Sequence, residues 1–222
     1  MHPSRIKRVG AHPRTVGQIL VAKTAHHLRT AAQKAELKDA YLVPPIRRPL
    51  VIDTVTTAMG LEGCLKFASL LVEELERCGH LVAVAGSFEK FSRVPTETTA
   101  TTALAVAEEA RQKMWPPRPT VAYINSVPIG MVIVEMSKHV KVRYDGYSKF
   151  VPLSEWKGPE TGYSWTTTRL LLTGLMKLVT YSPYIRKEWH QQWCEKKSGD
   201  LCRIIPSIVT DLERAAKLLS HI

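Results

Sequence analysis

The clearest pattern in the chain lies between residues 61 and 78. Leu61, Cys64, Leu65, Ala68, Leu71, Val72, Leu75 and Cys78 recur at steps of three and four, while Lys66, Glu73, Glu74, Glu76 and Arg77 take the other face. That spacing predicts an amphipathic helix, with Gly79 as its left-handed stop. Residues 50–55 and 81–85 are β-type runs on either side, so 50–86 predicts strand, helix, strand, about the length of a βαβ or split-βαβ unit. A second firm stripe, Ile204, Ile205, Ile208, Val209, Leu212, Ala215, Ala216 and Leu219, predicts a C-terminal helix. Between these, 121–124 and 129–134 flank Asn125-Ser126 and predict a hairpin. Residues 140–144 alternate and predict a further strand, Asp145-Gly146 a turn, 155–162 a loop, 165–172 another strand and 186–197 a helix.

The first part of the chain is less regular. Val16, Ile19, Leu20, Leu28, Ala31, Ala32 and Ala35 form a weak stripe that predicts a helix within 15–40. No glycine or turn residue divides 18–38, so the pattern reads as one helix and gives no support to a helix-turn-helix. Residues 1–14 read as a basic arm, and 41–49, with Pro44, Pro45 and Pro49, as an extended linker. Residues 86–119 combine a Thr-rich run, an Ala-rich helical stretch and a Pro cluster, and read as a surface excursion. The expected class is α+β: a mixed or mainly antiparallel sheet with segregated helices, preceded by a basic helical N-terminal segment. The expected division is 1–49 for arm, helix and linker, and 50–222 for the body.

Charge changes this picture most. The 222 residues carry a formal +11, yet residues 1–49 hold ten basic side chains against Glu36 and Asp39, or +8. Such an uneven excess points to a polyanion-facing segment. The candidate nucleic-acid-binding residues are Arg5, Lys7, Arg8, Arg14, Lys23, Arg29, Lys34, Arg47 and Arg48, with DNA favoured. The apolar share of 45% and charged share of 23% suit a packed core. No secretory signal or membrane span is evident, so a cytoplasmic protein without membrane association is expected. Cys64 and Cys78 fall on the helix stripe and read as buried thiols of a reducing compartment, and no pair has CxxC spacing.

Catalytic motifs are absent: there is no Walker loop, GxGxxG, GxSxG or HExxH. Glu195-Lys196-Lys197 has the Glu-x-Lys spacing of metal-dependent nucleases but reads as a solvated helix end. His190, Cys194 and Cys202 lack an evident fourth zinc ligand, and Asp53, Glu135 and Asp145 read as structural or exposed acids at strand ends. No metal or cofactor is expected. Trp156, Tyr163, Trp165, Tyr181, Tyr184, Trp189 and Trp193 are interleaved with basic residues, which admits a base-stacking platform. The preferred reading makes Trp165 and Trp189 core anchors, and 181–184 an exposed loop.

The run Leu50-Val51-Ile52, the helix end Leu75-Glu76-Arg77-Cys78-Gly79-His80 and the hairpin over 120–135 follow one another in a set order. So do Tyr163-Ser164-Trp165-Thr166-Thr167-Thr168-Arg169-Leu170, Arg186-Lys187-Glu188-Trp189 and the helix over 204–218. This order resembles a widespread, largely uncharacterised family of bacterial proteins that begin with a basic helix-turn-helix-like segment, followed by a Pro-rich linker and an α+β body. The resemblance covers most of 50–220; here the start is shorter and 86–119 longer than the family pattern. It implies the fold but no activity. Three readings follow. The first is a nucleic-acid-binding accessory or regulatory protein that uses its basic N-terminal segment. The second is a non-catalytic interaction subunit of a larger bacterial assembly, its arm docked on an acidic protein. The third is an enzyme, for which no residue pair stands out.

Overall fold

A computed structural model describes residues 14–34, 41–42, 51–94, 118–145, 150–158, 164–184 and 188–220. The arm up to residue 13, most of the Pro-rich linker, the excursion over 95–117 and the turn at Gly146 lie outside these residues. In chain order the elements are α1 (Val16–Lys34), β1 (Thr54–Val55), α2 (Leu61–Arg77), β2 (Leu81–Val84), β3 (Thr120–Ile124) and β4 (Val127–Tyr144). They continue with β5 (Phe150–Pro152), a 3-10 turn (Leu153–Glu155), β6 (Thr166–Tyr181), β7 (His190–Cys194), α3 (Asp200–Arg203) and α4 (Ile205–Ser220).

The strands form one open, mostly antiparallel sheet in the order β2-β3-β4-β6-β7. β6 runs along one edge of β4, while β3, β1 and β5 follow one another along the other, β1 being parallel. The architecture is α+β. β1 and β2 run in the same direction without pairing, since β1 bonds to β4 and β2 to β3. The hairpin turn has positive φ at both Asn125 and Ser126, which matches a two-residue turn to strand twist.

The helices cover one face of this sheet. Leu20 of α1, Leu71 and Leu75 of α2, Leu201 of α3 and Ile208 and Leu212 of α4 share one core with Ala122, Ile129, Met131, Ile133 and Leu178 of the strands. Burial of each large aliphatic side chain is worth about 1.5–3 kcal/mol. The opposite face holds a smaller cluster, Val132, Val134 and Tyr181, with Val55, Val94 and Val179 packed on it. α2 ends as its sequence demands. His80 N–H donates to the Leu75 carbonyl and Gly79 N–H to that of Glu76, both at 2.9 Å, with Gly79 at φ +83°.

Four expectations are corrected. Residues 140–144 are not a separate strand but the far end of β4, which runs unbroken for 18 residues. β6 continues past residue 172 to Tyr181. The helix expected over 186–197 is not formed, because 190–194 pairs antiparallel with β6 as an edge strand. Its exposure alternates along the strand, which suits a pleat and not a helical stripe, so the ladder overrides local preference. Tyr181, Ser182 and Pro183 are buried, not an exposed loop, and only Tyr184 faces solvent.

The long β4–β6 ladder contains one irregularity. Glu135 pairs with Met176 and Ser137 with Leu172, so Thr173, Gly174 and Leu175 bulge opposite Met136. Gly174 adopts φ +69°, a conformation that disfavours any side chain. Four of the backbone groups there find side-chain partners. The Thr173 hydroxyl donates to the Met136 carbonyl at 2.7 Å and accepts from Leu175 N–H at 3.2 Å. Gly174 N–H donates to Glu135 Oε1 at 3.1 Å, and Met176 N–H to Glu195 Oε2 at 2.9 Å.

Both glutamates are buried, at 1% and 7% exposure. Glu195 is therefore no solvated helix end, and its other oxygen accepts from Gly199 N–H at 2.8 Å. Glu135 lies within β4, not at its end. Its Oε2 accepts from Thr57 N–H at 2.7 Å and from the Thr57 hydroxyl at 2.8 Å, with the Thr56 hydroxyl at 3.2 Å. The carboxyl thus ties the turn before α2 to the bulge. A Cβ at Gly60 would fall 2.5 Å from Glu135 Oε2, so the glycine is what lets the turn close on it. Asp53 has a structural role too, as a buried pair with Arg93 at 2.5 Å.

Two outcomes follow. Glu135→Leu strips the amides of Thr57 and Gly174 of their acceptor, and each stranded donor costs about 1–3 kcal/mol. Urea unfolding should therefore show a large loss of midpoint, whereas the exposed Glu155→Leu should leave it unchanged. The second outcome concerns Cys64, fully buried beside Glu135. Burial, and then that carboxyl, push its thiol from 9.0 up to about 12. The unfolded chain releases this proton near pH 9 and the folded chain does not. Stability is unaffected below pH 9 and falls as pH rises towards about 12, by at most about 1.4 kcal/mol per pH unit. Cys64→Ala should flatten that alkaline slope in denaturant titrations, and an unchanged slope would exclude Cys64 as its source.

Candidate nucleic-acid interface

α1 is held in place from its first turn. Thr15 and Gln18 form a reciprocal cap: the Thr15 hydroxyl accepts from Gln18 N–H at 3.2 Å, and Gln18 Oε1 from Thr15 N–H at 3.3 Å. Glu76 of α2 reaches the same end, accepting from the Thr15 hydroxyl at 2.5 Å and from Gly17 N–H at 3.0 Å. A carboxylate there also complements the positive end of the helix dipole. The helices approach closely at Gly17, where a Cβ would meet Val72 Cγ1 at 2.5 Å. Further along, Leu20 enters the main core, Leu28 packs with Leu42, Leu61 and Leu65, and the Thr24 hydroxyl accepts from Ile52 N–H at 2.9 Å.

This docking sorts the basic residues expected to meet nucleic acid. Arg5, Lys7, Arg8, Arg47 and Arg48 lie outside the described residues. Arg14 is exposed just before α1. Lys23 and Lys34 are exposed on α1, and no carboxylate among the described residues pairs with either. They sit about three turns apart and so on one flank of the helix. Arg29 differs: Nε and Nη2 grip Glu62 of α2 at 2.9 and 2.8 Å. That contact holds the Glu62 carboxyl below its usual range. His26 is exposed, its ring edge-on to His27 at 5.5 Å.

A second cationic region does not stand out as a unit in the sequence. Beyond Glu135, β4 and β6 continue as a ribbon in which Val142 is the one buried residue of β4. Residues 136–173 carry six basic and three acidic side chains, whereas the rest of 50–222 carries fifteen of each. At the far end Trp165 stacks on Tyr144, with centroids 4.3 Å apart and planes at 27°. Phe150 of β5 tilts against Tyr144 at 5.3 Å and meets Trp165 edge-on at 6.3 Å. The Arg169 guanidinium lies 3.3 Å from the Phe150 ring centre, and that of Arg143 lies 5.2 Å from Trp156. Trp165 is 54% exposed and is therefore not the core anchor expected of it. Trp189 and Trp193 do pack on the main core. The sequence signal for this region is the alternation of Val140-Lys141-Val142-Arg143-Tyr144, which puts Tyr144 on the Val142 face. Only strand pairing brings Phe150 and Trp165 beside it.

Among the described residues no three His, Cys, Asp or Glu side chains are grouped as a metal site. His190 and Cys194 stand exposed on β7, and Cys202 is half-buried on α3. Among the described residues no helix is long and apolar enough to cross a membrane. Comparison of the chain with protein-family models, curated proteins and solved structures finds no match.

Loss of the cap in Thr15→Ala should destabilise the protein by about 0.5–2 kcal/mol. Thr15→Ser should recover most of that loss, because its hydroxyl can make the same two contacts. Equal losses in the two variants would show that the hydroxyl does not hold the helix.

Proposed function

We propose that the protein binds nucleic acid, DNA in preference to RNA, as a cytoplasmic accessory or regulatory protein without chemistry of its own. The binding element is the basic helical N-terminal segment. The same reading groups the chain with the bacterial proteins whose order of elements it resembles. The observation that carries the proposal is the charge distribution: +8 of +11 within the first 49 residues. Exposed Lys23 and Lys34 support it, since α1 presents them from a helix anchored in the core. Arg29 contributes less, because Glu62 already neutralises it. Contacts of this kind address phosphates and carry little sequence information.

Fluorescence anisotropy with labelled duplex DNA across a salt series tests this. Six to ten phosphate contacts make affinity fall by about a thousand- to a hundred-thousandfold between about 50 and 200 mM salt. Deletion of residues 1–13 should weaken binding and flatten the dependence. Paired Lys23→Glu and Lys34→Glu substitutions should reduce the slope by about 0.9 for each phosphate that is no longer neutralised. Arg29→Ala should change it least. Truncation at 49 is unsuitable, because Leu20 and Leu28 would leave the core with it. A flat salt response excludes the proposal. A nuclease-resistant, stoichiometric acidic protein partner would put an interaction subunit in its place.

A further inference from the structure

We infer that the far end of the β4–β6 ribbon is a second nucleic-acid site, one that stacks unpaired bases on Trp165. The inference rests on the reading that the partner is a nucleic acid, but on a different part of the molecule and a different force.

Four observations carry it. An indole more than half in water, at the end of a ribbon that has left the core, keeps a large apolar face unburied. That face is held flat. Tyr144 supports Trp165 from one side by stacking, Phe150 braces both rings, and Arg169 fixes Phe150. A ring backed in this way needs little ordering before it receives a planar ligand, which lowers the entropic cost of binding. The basic side chains on the same face are exposed: Lys138 and Arg169 both share it, and among the described residues no carboxylate pairs with Lys138. Finally, the ribbon carries the whole net charge of 50–222, since the remainder balances.

An aromatic face beside cations accepts a base on the ring and its phosphates on the basic side chains. This is the chemistry of single-strand recognition, in which every base offers a π-face and sequence matters little. Duplex DNA keeps its bases stacked on one another and offers Trp165 no such partner except at ends or lesions. Lys141 and His139 lie on the opposite face of the ribbon from Trp165, as the alternation along β4 requires, while Lys138 and Arg169 share its face. A strand stacked on Trp165 therefore meets Arg169 first, with Lys138 about 20 Å along the ribbon.

The test uses the full chain and two strands of equal charge: homothymidine of about 20 nucleotides, and an abasic strand of the same length. Charge alone binds both alike; stacking favours the strand that has bases. The expected result is a preference for homothymidine that persists as salt is raised. Trp165→Ala should abolish that preference, weakening homothymidine by about five- to hundredfold and leaving the abasic strand unchanged. Trp165→Phe should keep part of it, which guards against misreading a folding defect, and near-ultraviolet circular dichroism checks both variants. Equal binding of the two strands by the parent protein overturns the stacking site and leaves phosphate binding by the N-terminal segment standing. The same holds if Trp165→Ala retains the full preference. Binding to neither strand, with none to duplex, overturns both readings together.

Discussion

Two buried glutamates at one bulge set the geometry of the whole molecule. An 18-residue strand paired with a 16-residue strand makes a ladder far longer than the core it crosses. An unbroken ladder of that length would carry its twist evenly from end to end. The bulge at 173–175 concentrates the change at one point, which is where bulges commonly redirect a strand pair. Its cost is a set of backbone amides removed from the ladder in a partly buried place. Glu135 and Glu195 meet that cost from opposite sides, one reaching from β4 and the other from the end of β7. The same Glu135 carboxyl closes the turn into α2, so the best-formed helix and the bend in the sheet share one anchor. On one side of that point the strands are buried under helices; on the other they stand in solvent.

A parallel constraint governs α1. Its stripe is weak, with alanines where a self-sufficient helix would carry leucines, and burial alone would hold it loosely. Specific contacts make up the difference: the Thr15–Gln18 cap, the Glu76 carboxylate at its first turn and the close approach at Gly17. The effect is to present Lys23 and Lys34 from a fixed helix. Cations held at fixed spacing lose less freedom on meeting a phosphate array than the same cations on an unfolded chain. Part of the +8 of the first 49 residues thus sits on an element that belongs structurally to the body.

What can be read in advance follows from the range of the interactions concerned. α2, α4 and the 120–134 hairpin are legible because their signals are local: a three-four stripe, a left-handed glycine stop, a two-residue turn. The single-helix reading of the N-terminal stripe rests on the absence of a breaker between 18 and 38, and α1 runs uninterrupted from Val16 to Lys34. The errors lie where a neighbour decides. His190–Cys194 is a strand because β6 offers it a ladder, and nothing within those five residues announces that. Sequence divides β4 in two because the polar Ser137, Lys138 and His139 interrupt the apolar run, although they belong to one continuous strand. Glu195 reads as solvated because Lys196 and Lys197 follow it. It is buried because the β6 bulge needs an acceptor, a demand raised some twenty positions away in the chain.

The aromatic cluster shows the same limit from the functional side. Tyr144, Phe150 and Trp165 are separated in sequence, and large aromatics usually signal core. For Trp165 that inference fails because its strand has already left the core before the ring is reached. The helices end their coverage near Glu135, and beyond it the ring contacts of Trp165 among the described residues are those with Tyr144 and Phe150. A residue type that ordinarily reports packing therefore reports exposure, and the reversal traces to the bulge. If Trp165 receives bases as inferred, the bulge also separates two kinds of recognition. Phosphate attraction then belongs to the N-terminal segment and weakens with salt, while stacking belongs to the ribbon and is far less sensitive to it.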